Sequence, residues 1–210
     1  LDFGDQFRNG GDGAGVGPRI ATLTPVASWL PQTGVDLSGT TVTISGSSKT
    51  VTGIDFSGYR LINTGNNNII EDCLGDANTT GTTGNDRQWD IQGSNPTVRY
   101  CKIANPTPIG GTIMLSFNDA TGACLVDHCD LRDLAASDGI AGPDVGGGAN
   151  TLTIIDTLHK GIHLSVGSHI DAVDLRGAAP GSKISRLLSI GDKTVTSAAA
   201  GGGTGYTNVF

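Results

Sequence analysis

Arg132 and Lys160 stand 28 residues apart, as do Arg99 and Asp127, and Lys102 and Asp130. If a fold brings the first pair side by side, the two cations can do chemistry. A lysine whose pKa is lowered by a neighbouring guanidinium can act as a base, while the guanidinium holds a carboxylate as negative charge develops on it. Lys160 is then the candidate base and Arg132 the candidate carboxylate holder. Asp127, Asp130 and His159 fall beside them as candidate substrate contacts. The two aspartates also offer the oxygen ligands that Ca²⁺ takes, although two carboxylates make an incomplete site, so no metal ligands are assigned. Asp127 with Asp130, or Asp130 with Asp156, are nominal carboxylate pairs for hydrolysis. A plainer reading covers the same residues. Glu71, Arg99 and Asp127 alternate in sign at one interval, as do Lys102 and Asp130, and such rows form cross-strand salt bridges that stabilise modestly. His128 falls between inward positions near a bend and reads as a core or turn histidine. His159, His163 and His169 lie in turn-rich sequence, with a metal or general-base role as the alternative.

The interval itself is set by a stacked repeat. Cys73, Cys101 and Cys129 each close the same short apolar pattern: Ile70 to Cys73, Val98 to Ile103 and Val126 to Leu131. The phase continues at Ile154 to Thr157 and, two residues late, at Ile184 to Leu187. A fixed period of this size marks units that bury their apolar faces only against their neighbours. Within a unit, apolar and polar residues alternate with the strand period of two, and Gly, Pro, Asn and Asp interrupt any run long enough for a helix. Further strands are expected at Thr41 to Ile44, Val51 to Phe56, Gln88 to Gln92, Thr112 to Phe117 and Ile170 to Leu175, with Gly161 to Val166 as a third strand of its coil. The fold class is therefore all-β, a β-solenoid of about five to six coils, each of two or three short strands at about 3.3 Å per residue. In register, the columns read Glu71, Arg99, Asp127, Ile155, Ser185; then Leu74, Lys102, Asp130, Leu158, Leu188; then Asp76, Ala104, Arg132, Lys160, Ile190. Neighbours in a column sit about 4.8 Å apart. The three cysteines are expected as a reduced internal ladder, since free cysteine packs as a small hydrophobe. Cys124 lies outside that column.

The V-x-x-C-x-I phrases at Val98 to Ile103 and Val126 to Leu131 resemble the right-handed parallel β-helix, or pectate-lyase-like, superfamily, over residues 40–195. The resemblance implies a right-handed coil and an extended glycan lying along one outer sheet, parallel to the axis. Under that implication Arg99, Lys102, Asp127, Asp130 and His159 contact polysaccharide. Lys160 and Arg132 would then take the C5 proton and hold the carboxylate of a uronic acid. Trp89 is either an exposed platform for sugar stacking or a cover on a coil edge. The phrases of the polygalacturonases (Asn-Thr-Asp, Asp-Asp and Gly-His-Gly) are absent. Because one fold hosts many activities, function stays divided. The leading expectation is an extracellular or virion-surface module of tailspike or fibre type that recognises polysaccharide and self-assembles. The others are a secreted polysaccharide lyase and a non-catalytic rod in a larger assembly.

Composition limits the partners. A net charge of −7 over 210 residues argues against nucleic acid and anionic membranes, and no apolar run approaches spanning length. Glycine is abundant at 33 residues, yet apolar residues recur with a period, so a folded chain is expected. The ends depart from the repeat. Residues 1–39 are expected as an irregular arm and cap, with the glycine run from Asn9 to Gly17 as a flexible lead-in or a contact arm to a neighbouring chain. Residues 40–195 form the helix, and residues 196–210 a C-terminal arm.

Overall fold

The computed structural model describes residues 15–76, 86–104, 112–135, 138–144, 149–163, 173–175 and 179–190. The expectations for the C-terminal arm, for His169, for the side chain of His163 and for most of the N-terminal glycine run lie outside these residues. So does the end of the strand expected from Gly161 to Val166.

Strands stack in parallel into an eleven-stranded and a seven-stranded sheet. The larger sheet is two rows joined at a bend. One row holds β4 (Thr50–Thr52), β7 (Ile69–Glu71), β10 (Thr97–Arg99) and β13 (Ala123–Asp127). The other holds β1 (Thr24–Pro25), β5 (Ile54–Asp55), β8 (Leu74–Asp76), β11 (Lys102–Ala104) and β14 (Asp130–Ala135). β16 (Thr151–His163) serves both rows as one strand, and β18 (Lys183–Ile190) pairs along it. The seven-stranded sheet faces them with β3 (Thr41–Ile44), β6 (Arg60–Asn63), β9 (Asp86–Ile91), β12 (Thr112–Ser116), β15 (Ile140–Ala141) and β17 (Val173–Asp174). The chain is thus a parallel β-solenoid. It makes about four turns, fewer than the five to six expected. At the start, β2 (Val35–Ser38) folds back antiparallel on β3 and does not continue the coil. The short helix α1 (Val26–Trp29) covers the same end, with Trp29 edge-on to Phe56 at 5.9 Å. No helix among the described residues is long and apolar enough to cross a membrane.

The register follows the cysteine phase. Val98 sits between Ile70 and Val126, and Val126 beside Ile154, which pairs with Ile184. At the bend one residue per turn takes the left-handed conformation: Asp72, Tyr100, His128, Asp156 and Arg186, with φ of 52°, 52°, 50°, 47° and 56°. The next residue turns inward and ties the bend. Cys73 and Cys101 donate to the carbonyls of Glu71 and Arg99 at 3.1 and 3.2 Å. Thr157 does the same to Ile155 at 3.0 Å, which explains why threonine follows cysteine in the column. All four cysteines are free and buried. Burial pushes the Cys101 thiol well above its usual pKa and Cys124 up to about 12.

A second corner is held by asparagine. Asn67 and Asn95 are also left-handed, a conformation asparagine tolerates, and the Asn95 amide donates to Asn67 Oδ1 at 3.1 Å while accepting from the backbone of Ala123. Beside it Gly46, Gly65 and Gly93 stack so closely that a Cβ on Gly65 would lie 2.1 Å from the Gly46 oxygen.

Candidate functional site

The left-handed bend projects its residues outward, and the stack lines them up along the axis. From one end the line runs through Asp72, Tyr100, His128, Asp156 and Arg186, flanked by the neighbouring column of Glu71, Arg99 and Asp127. Arg99 forms a 2.7 Å ion pair with Glu71. The Tyr100 and His128 rings stack with centroids 5.0 Å apart. His128 Nδ1 lies 2.6 Å from Asp127 Oδ1, and Nε2 faces Asp156 Oδ2 at 3.6 Å. Arg186 grips Asp156 through both oxygens, which holds that carboxyl below the usual aspartate pKa. The side chains remain accessible: Arg99 is 38% exposed, His128 31% and Arg186 45%.

The N-terminal segment lies across this line. The Gly17 amide donates to the His128 carbonyl at 2.9 Å. Arg19 donates from its backbone and its guanidinium to Asp72, at 2.8 Å and 2.5–3.2 Å, and rests 3.8 Å over the Tyr100 ring. The Arg19 guanidinium holds the Asp72 carboxyl below the usual range. Residues 15–20 therefore fold back on their own solenoid; of the glycine run Asn9 to Gly17, expected as a flexible lead-in or contact arm, only Gly15 to Gly17 are among the described residues.

The residues singled out in the sequence are partly brought together. Arg132 and Lys160 are Cα partners on β14 and β16, both half-buried. Lys102 is likewise the partner of Asp130. Asp130 is buried, and both its oxygens accept from Arg132 Nε at 2.9 Å. Calcium does not fit Asp127 and Asp130, because the first is engaged by His128 and the second by Arg132, on opposite sides of the bend. Asp127, His128 and Asp156 form a group whose ligand atoms lie within 4.8 Å, but Arg186 already supplies the positive charge there.

Two expectations are corrected. His159 is not at an exposed rim; it is fully buried in β16, in the inward column with Ile103 and Leu131, and neither ring nitrogen has a partner among the described residues. Burial lowers its pKa to about 4. Trp89 is not an exposed platform. It is fully buried, edge-on to Phe56 at 5.8 Å, with its indole against Gly75, where a Cβ would lie 2.5 Å from Nε1.

Sequence reasoning missed Tyr100, Arg186 and the role of His128, although they occupy one column at the repeat interval. It also missed a polar cluster on the seven-stranded sheet. There Arg60 and Arg87 converge on buried Asp90 at 3.2 and 3.1 Å, Gln92 adds a 2.9 Å bond, and Arg87 reaches on to Asp119. The neighbouring Gln88 amide is buried with no partner among the described residues. Compared with known protein families, curated proteins and solved structures, the chain matches none.

Proposed function

We propose that this chain is a polysaccharide-recognising β-solenoid, an extracellular or virion-surface module of tailspike or fibre kind, and that the glycan lies along the outward corner parallel to the axis. The reading rests on one observation. Half-exposed Arg99, Tyr100, Asp127, His128 and Arg186 follow one another along the rigid stack, offering rings, guanidinium groups and carboxylates at about 4.8 Å intervals. Aromatic faces pack against the apolar faces of sugars, and charged forks bond their hydroxyls and carboxylates. Backbone and neighbours fix these groups before any ligand arrives, which lowers the ordering cost of binding. The resemblance to the pectate-lyase-like superfamily in the V-x-x-C-x-I phrases points the same way.

A second reading, uronic-acid polysaccharide lyase, is favoured by the in-register neighbours Arg132 and Lys160. The two are separated by one panel of alginate, pectate, glycosaminoglycans and bacterial capsules. The recognition module binds one polymer without turnover, and Tyr100→Ala or Arg186→Ala weakens that binding about tenfold, a loss of about 1.4 kcal/mol. A rise in unsaturated-product absorbance that Lys160→Ala abolishes would establish the lyase instead. Silence in both assays would leave a structural rod.

A further inference from the structure

We infer that residues 15–20 are an autoinhibitory strap on the recognition corner, locked by Arg19; the inference rests on the glycan reading of that corner. The strap descends the stack. Gly17 bonds the His128 carbonyl, Arg19 covers Tyr100 and binds Asp72, and Ile20 lies over Gly53, where a Cβ would come within 2.7 Å of its Cδ1. Thr24 then joins the sheet, its amide on the Gly53 carbonyl and its strand beside β5.

Two features make this segment a cover and not a structural strand. Its polar anchors are Gly17 and Arg19; Arg19 and Ile20 stay 51% and 41% exposed and Val16 and Pro18 half-buried, so none of its side chains belongs to the buried core. Its lock also sits on the group a sugar needs. The Tyr100 ring is stacked on His128 and also lies under the Arg19 guanidinium. In the closed state a pyranose ring must compete with the guanidinium for the Tyr100 ring. Opening takes the guanidinium off the Tyr100 ring and returns Asp72, which Arg19 Nη2 approaches at 2.5 Å, as an acceptor for hydroxyls; Glu71 stays paired with Arg99.

A site available only in its open fraction binds more weakly by that fraction. Arg19→Ala removes the guanidinium and Asp72→Asn removes its charge partner, so both loosen the lock. Arg19 is exposed, and asparagine tolerates the left-handed backbone at position 72, so both variants keep the fold. The test pairs amide hydrogen exchange at Gly17 and Arg19 (or the residue replacing it) with binding of each variant to the polymers of the panel. Both variants are expected to exchange faster at these amides and to bind the recognised polymer about tenfold more tightly than the parent chain. The double variant Arg19→Ala, Tyr100→Ala is expected to lose that gain. Faster exchange with unchanged affinity would overturn the autoinhibition and leave the glycan reading standing. Unchanged exchange in both variants would show that Arg19 is not the lock. If no variant binds any polymer, the corner is not a glycan site and the strap guards nothing.

Discussion

His159 is an imidazole in an apolar interior, and its consequence is a pH dependence. The neutral ring is buried without a partner among the described residues, and its pKa is lowered to about 4 from an ordinary value near 6.5. The unfolded chain therefore binds a proton that the folded chain refuses. The neutral ring's contribution is fully present above pH 6.5 and is lost as the pH falls from there towards 4, with a ceiling of about 3 kcal/mol. Urea midpoints measured from pH 7 to 4.5 are expected to fall, and His159→Leu is expected to flatten the slope. Asp72 and Asp156, whose carboxyls are held below the usual range by Arg19 and Arg186, act in a lower window, as their ion pairs are lost in stronger acid. A slope that survives in His159→Leu would place the titrating group elsewhere. The position was legible: His159 follows Thr157 by two, as Leu131 follows Cys129 and Ile103 follows Cys101, and that phase faces inward.

At the level of the element, the bends are more demanding than the strands. Each short strand needs only alternation, but the two corners need particular residues. The thiol or hydroxyl after the left-handed position ties a carbonyl two residues back, and the asparagine and glycine columns let adjacent turns approach. Gly65→Ala puts a Cβ against the Gly46 carbonyl, a backbone atom that cannot swing away. The variant is expected to lose roughly 1–3 kcal/mol or more in a denaturant titration, because two turns must separate to admit it. A loss below a few tenths would mean that the turns are less tightly stacked than this geometry. The glycine spacing is visible in the sequence. That it marks backbone touching backbone is not, since a turn glycine and a contact glycine look alike until the coils are stacked.

Across the whole molecule, each turn is sandwiched between neighbours and the core among the described residues is one cluster from Val26 to Val173. All four thiols lie inside it. A neutral thiol shielded from solvent does not react, so an aromatic disulfide reagent is expected to find no fast cysteine in the native protein. Labelling is expected to follow unfolding, with all four thiols released together in strong denaturant. One fast thiol would show that a turn opens by itself, as a quasi-one-dimensional stack permits at its ends.

The sequence by itself determined the solenoid, its register and its inward columns, because a period repeated through the chain fixes which residues stack wherever the coils lie. It therefore placed Arg132 beside Lys160 and Arg99 between Glu71 and Asp127. Only the tertiary structure decided which outward residues are accessible and what they touch. Trp89 is interior because Gly75 on the opposite row leaves room for its indole. Asp130 is withdrawn from solvent by Arg132, and the corner is closed by a segment over fifty residues away from Asp72 in the chain. Contacts of that kind carry no period. They depend on how a non-repeating arm meets a repeating face, and side-chain reach decides them after the coils have formed.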